Sequence, residues 1–175
     1  MDFMIFFLVL LPSSLLLLLF LLVCPRPVEI PIKNRHVLIT GGSSGIGLAL
    51  ARQFASEGAR VSILARDRRK LEEAAEDIRR TTGVDVTVFS ADVRDFDAVK
   101  RVVEEAGALD FLVCNQGMFF AKEYDRQDIE EIKLMVDVNL MGTLHMIRAA
   151  LPSMKATRGA RGPAGIAITS SLAGQ

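Results

Sequence analysis

A doubly wound α/β fold behind an N-terminal transmembrane helix is predicted by three observations. Short apolar runs alternate with amphipathic stretches from His36 to Gln175, a glycine-rich turn joins the first run to the first helix, and Phe3 to Cys24 carries no charged residue. Strands alternating with helices require a parallel sheet with helices on both faces, and right-handed crossovers then give strand order 3-2-1-4-5.

The chain of 175 residues is enough for one domain. HVLIT (36–40) is a buried strand running into glycines, and a helix over 46–56 ends at Gly58. RVSILA (60–65) is the second strand. A charged helix over 67–80 keeps Leu71, Ala74, Ala75 and Ile78 on one face and closes at Gly83. DVTVFSA (85–91) is the third strand. The helix over 95–106 gathers Phe96, Val99, Val102 and Val103. LDFLVC (109–114) is the fourth strand. A long helix over 128–154 carries Ile129, Ile132, Val136, Leu140, Leu144, Ile147 and Leu151 at helical spacing, before a fifth strand, GIAITS (165–170).

The charge-free run at the N-terminus would span roughly 30 Å as a helix, the thickness of a bilayer core. Pro12, Ser13 and Ser14 interrupt it, but it has no polar face, no basic n-region and no small-residue cleavage site, so an uncleaved anchor is expected rather than a signal peptide. Arg26, Lys33 and Arg35 follow it and nothing basic precedes it, which places the body on the cytosolic side. The expected organisation is an anchor over 1–24, a proline-punctuated linker over 25–35 and a nucleotide-binding body over 36–175. Two cysteines make no disulfide framework, and 21 basic against 21 acidic residues leave no nucleic-acid footprint. His36 and His145 are isolated, so no metal site is expected.

Thr40-Gly41-Gly42-Ser43-Ser44-Gly45-Ile46-Gly47 joins strand to helix. A pyrophosphate must approach the backbone where side chains are absent, and a helix N-terminus offers it unpaired N–H groups. Gly41, Ser43, Ser44, Gly45, Ile46 and Gly47 are therefore candidate cofactor contacts, with the last glycine letting helix and strand pack closely. The second strand ends Leu64-Ala65-Arg66, without the acidic residue that would bond a ribose 2′-hydroxyl. Arg66 can fork onto a 2′-phosphate, and Lys70, one helical turn on, can face the same group, which predicts NADPH over NADH.

The T-G-x-x-x-G-x-G spacing of this turn resembles that of the short-chain dehydrogenase/reductase family, and four further motifs follow in register: Asp92-Val93, Asn115-Gln116-Gly117, Asn139 within Val138-Asn139-Leu140, and Ser170-Ser171-Leu172-Ala173-Gly174. The resemblance implies a Rossmann-type sheet. It implies that Asp92 and Val93 lie against the adenine, and that Asn115 and Gly117 border the cofactor. Gln116 stands where the family usually has alanine. It also implies that Ser171 polarises a substrate carbonyl and that Asn139 holds a water leading to a catalytic lysine; a satisfied core asparagine is the alternative for Asn139.

The family's tyrosine and lysine, a Y-x-x-x-K step soon after Ser171, do not occur in these 175 residues: Tyr124 is the only tyrosine, and Asp128 stands four residues on. A truncated chain with later strands missing and little reductase activity of its own is expected. The anchor and the ILAR, CNQG and VDVNLMGT segments resemble members that reduce the keto group of a long-chain sphingoid base at the endoplasmic reticulum membrane. A membrane-anchored steroid or retinoid reductase, or a non-catalytic NADPH-binding fragment, is the alternative. A homo-oligomer is expected from the family.

Overall fold

The computed structural model describes residues 11–23 and 30–170. Helix α1 (Leu11–Val23) is followed by β1 (His36–Thr40), α2 (Gly45–Ser56), β2 (Arg60–Ala65), α3 (Arg68–Thr82) and β3 (Thr87–Ser90). Then come α4 (Phe96–Ala106), β4 (Phe111–Cys114), a 3-10 turn at Tyr124–Arg126, the long helix α5 (Ile129–Arg161) and β5 (Gly165–Ile168). The five strands form one parallel sheet in the order β3-β2-β1-β4-β5.

Alternate residues of β1 feed two cores, as a sheet covered on both faces requires. Val37 and Ile39 join Val61, Ile63 and Val113 beneath Ala51 and Ala55 of α2 and Leu71, Ala74 and Ile78 of α3. Leu38, Leu64, Phe89 and Leu112 pack on the other face against Val99 and Val102 of α4 and Met146 and Ala150 of α5. Asp67 and Asp95 cap α3 and α4 by accepting the N–H groups of Lys70 and Ala98, and Gly83 closes α3 in the left-handed conformation at φ 73°.

Helix α5 departs from the expected pattern. Ile129, Val136, Leu140 and Leu144 are exposed, and the sheet-facing stripe is instead Val138, Gly142, Thr143, Met146, Ala150 and Met154. The helix is apolar on two sides, and the side with smaller residues allows the closer approach to the sheet. It also runs on to Arg161 and contains a π-turn at Asp137–Met141. Length and hydropathy alone would let α5 cross a membrane, but Met146 and Ala150 are fully buried in the core.

The exposed leucines of α1 are part of the expected anchor; its remaining residues, 3–10 and Cys24, lie outside the described residues, as do 25–29 of the expected linker. Residues 30–35 pack onto the body. Ile32 adds to the α2 side of the core, and the Asn34 N–H donates to the Gly58 carbonyl at 2.9 Å. The chain thus enters at the N-terminal edge of the sheet. Asp110, 1% exposed, ties that edge together: it accepts from Arg35 at 2.9 Å, from the His36 N–H at 2.9 Å and from Arg161 at 3.1 Å. The His36 ring bonds Ser62 and the Ala108 carbonyl, and burial holds its pKa low despite the Ala108 bond.

Burial pushes the Asp110 carboxyl upward, but the His36 N–H, Arg35 and Arg161 outweigh it and hold it below the usual carboxylate range. Its stabilising contribution is present above the unfolded-state value near 4 and is lost as pH falls through the lower folded-state value. Asp110→Ala is expected to cost about 3–5 kcal/mol at neutral pH, because it leaves two guanidinium groups and an N–H unpaired. Chemical denaturation at pH 7 and pH 3 checks this: the gap between wild type and variant narrows at pH 3.

Candidate cofactor-binding site

At the opposite, C-terminal edge of the sheet lies a cleft of about 320 Å³. Its walls come from the glycine turn (Gly41, Ser43, Ser44), from Leu64 to Asp67 and Lys70, from Ala91, Asp92 and Val93 after β3, from Asn115, Gln116 and Gly117 after β4, and from Val138 of the π-turn. Four loops meet here because β1, β2, β3 and β4 all point the same way.

Within the turn, the expected contacts divide by role. Gly41, Ser43 and Ser44 line the cleft, while the Ile46 side chain is 63% exposed. Gly45 takes φ +54°, with open space where a Cβ would stand. Gly47 is buried beneath the turn: a Cβ there would lie 2.2 Å from the Gly41 carbonyl oxygen and 2.6 Å from the Asn115 amide nitrogen. Ser44 precedes α2 without a side-chain capping bond, whereas the aspartates before α3 and α4 cap theirs. Among the described residues no side chain thus pairs with the first N–H groups of α2, the condition under which a helix terminus receives an anion.

Arg66 and Lys70 both line the cleft, and neither side chain is in an ion pair among the described residues. Their neighbours Arg68 and Arg69 are paired along the helix with Glu72 and Glu73, each at 2.7 Å. Among the described residues, two cations thus carry no ion pair on the cleft side and two are paired on the other. Asp67, not expected in the wall, also lines it, with its carboxylate accepting the Lys70 N–H at 3.1 Å. Its position three residues before that N–H was the available signal. Asp92 is gripped by Arg94, whose Nη2 donates to Oδ2 at 2.7 Å, and this holds its pKa down. Val93 is buried, and its carbonyl accepts from His145 Nδ1 at 2.9 Å.

Asn139 lies in the π-turn but on the exposed side of α5, not on the packed face. Its side chain accepts the Met118 N–H at 2.9 Å and donates to the Met118 carbonyl at 2.9 Å, so the amide is satisfied by backbone. Asn115 borders the turn through the Gly41 and Gly47 contacts and accepts from Thr169 at 3.1 Å. Ser171 lies outside the described residues, which reach Ser170 just beyond the end of β5. Sequence reasoning passed over Thr40 and Thr143. The Thr40 hydroxyl, fully buried, accepts the N–H groups of Asn115 at 2.9 Å and Gln116 at 3.2 Å, and so joins the ends of β1 and β4.

A parallel sheet in this order, a glycine turn under a helix N-terminus and two cations lining the cleft after the second strand together define a dinucleotide-binding fold. A family model, short chain dehydrogenase, matches residues 35–175, and the chain belongs to that family. Over 168 residues it is 58% identical to 3-dehydrosphinganine reductase TSC10B of Arabidopsis thaliana, covering 96% of this chain and 50% of that protein. It is 59% identical over 153 residues to TSC10A, a 3-dehydrosphinganine reductase of the same plant, covering 87% of this chain and 47% of that protein. The chain spans about half the length of the curated relatives it matches. Among solved structures, L-sorbose reductase from Gluconobacter frateurii, complexed with NADPH and L-sorbose, matches at a TM-score of 0.74 and 32% identity, over 83% of this chain and 55% of that one.

Gly47→Ala is expected to weaken nicotinamide-cofactor binding at least 100-fold, because backbone must move to admit the methyl. Gly45→Ala, strained by its φ but free of collision, costs about 1–2 kcal/mol, or roughly 10-fold. Titration of the two variants by cofactor fluorescence checks the ranking. Burial pushes the Cys114 thiol up to about 11, so it stays protonated at pH 8. Iodoacetamide should leave Cys114 unlabelled in the folded chain and label it in guanidinium, as read by peptide mass.

Proposed function

We propose that these residues form the NADPH-binding part of a membrane-anchored reductase that converts the 3-keto group of 3-ketodihydrosphingosine to the hydroxyl of dihydrosphingosine. The observation that carries the cofactor is the pair Arg66 and Lys70, in no ion pair among the described residues and lining the cleft beside the N-terminus of α2, which Ser44 leaves without a side-chain cap. The substrate reading rests on the 3-dehydrosphinganine reductases that the chain resembles at 58% and 59% identity.

NADPH, when bound, supplies the hydride. Gly41, Ser43, Ser44 and the first N–H groups of α2 would hold its pyrophosphate, and Arg66 and Lys70 its 2′-phosphate. Asp92 and Val93 would border the adenine, while Asn115 and Gly117 would border the nicotinamide half. In this reading Ser171 hydrogen-bonds the substrate carbonyl, and Asn139 fixes the Met118 backbone that follows the Asn115–Gly117 wall. These residues hold no Tyr-x-x-x-Lys step, the proton donor that the family resemblance implies.

The charge-free run from Phe3 to Cys24 supports a single-pass anchor, in this reading in the endoplasmic reticulum membrane with the body in the cytosol, where a lipid substrate would be within reach. Protease protection in sealed microsomes tests that topology: digestion of the body without detergent supports it, and protection contradicts it.

The double variant Arg66→Ala/Lys70→Ala is expected to weaken NADPH binding about 10- to 100-fold, as loss of charge-assisted phosphate contacts implies. NADH binding should change less than 3-fold. Equal losses for both cofactors would contradict the 2′-phosphate reading.

A further inference from the structure

The Gln116 side chain joins two parts of the cleft that are far apart in sequence. Its Oε1 accepts from the Thr40 hydroxyl at the base of the glycine turn. Its Nε2 donates to the Thr143 hydroxyl at 2.8 Å, and Thr143 in turn donates to the Asn139 carbonyl at 2.8 Å within the π-turn of α5. The same Asn139 clamps Met118 through two bonds, and the same Thr40 holds the N–H groups of Asn115 and Gln116.

The Thr40 hydroxyl accepts two backbone N–H groups, and its one proton has two acceptors in reach, the Val113 carbonyl at 3.2 Å and the nearer Gln116 Oε1. Thr143 accepts from Gln116 and spends its own proton on Asn139. Gln116 carries an acceptor at one end and a donor at the other and so reaches both hydroxyls; alanine supplies neither, and a carboxylate supplies no donor. π-turns occur often at functional positions, and this one meets the cleft through Val138.

We infer that Gln116 is a positioning residue that locks the glycine turn, the wall after β4 and the π-turn of α5 into one hydrogen-bonded unit, so that the cofactor cleft is preorganised before NADPH enters. The inference rests on the cofactor reading of the cleft. Preorganisation of this kind raises affinity by removing ordering costs from the binding step, without a new contact to the ligand.

The test is a double-mutant cycle in NADPH affinity, with the full 175-residue chain in detergent micelles. Gln116→Ala and Thr143→Val each interrupt the chain and should raise the Kd about 5- to 10-fold. The double variant should lose no more than the worse single one, because a broken chain cannot be broken twice. Thr143→Ser, which keeps the hydroxyl, should bind like wild type, a result that lost packing alone would not give. Additive losses, an unchanged Kd in Gln116→Ala, or a Thr143→Ser variant as weak as Thr143→Val would overturn the role of Gln116 while leaving the cofactor site standing. A wild-type chain without NADPH affinity would overturn the cofactor reading and this inference with it.

Discussion

The contact on which the site depends is that of Gly47 with the turn before it. A methyl group there would stand 2.2 Å from the Gly41 carbonyl oxygen, well inside van der Waals contact. Because nothing larger than hydrogen fits, the first turn of α2 can sit directly on the end of β1. Asn115, arriving from β4, closes against the same two glycines. Three chain segments thereby converge within contact distance, and the helix N-terminus is aimed along the C-terminal edge of the sheet. The Thr40 hydroxyl beneath this junction fastens β1 to the segment after β4, and the cleft opens above it.

Charge is distributed so as to leave that cleft receptive. Exposed ion pairs contribute little to stability, about 0–1 kcal/mol each. The pairing of Arg68 and Arg69 with Glu72 and Glu73 thus matters less for folding than for where it leaves the unpaired cations. Arg66 and Lys70 carry their charge on the cleft side, and Arg94 neutralises Asp92 at the far wall. The buried cluster around Asp110 works at the other edge of the sheet, where it joins the incoming chain to β1, β4 and the end of α5. Chain entry and ligand cleft are thus held at opposite ends of the strands.

The five strands and their order were legible because each strand is short, apolar and bounded by a glycine turn or a capped helix, so that few alternatives remained. The glycine turn was legible too, since its spacing follows from what a backbone must do to admit a phosphate. Helix α5 was less so: leucines and isoleucines on one side looked like its core, while Met146, Ala150 and Gly142 on the other side do the packing. Periodicity cannot rank two apolar faces when the decisive property is closeness of approach. The π-turn left no pattern to read, and with it went the placement of Asn139, whose amide serves the Met118 backbone. The Thr40–Gln116–Thr143 chain was equally hidden, because its members are 76 and 27 residues apart and only the fold makes them neighbours.

The central claim is that the cleft is built for a nicotinamide dinucleotide carrying a 2′-phosphate. Parallel titrations of the unaltered chain with NADPH and NADH, followed by cofactor fluorescence under the same salt, address it directly. NADPH binding at least 10-fold tighter than NADH is the expected result. Equal affinity for the two, a preference for NADH, or no binding of either would contradict the account.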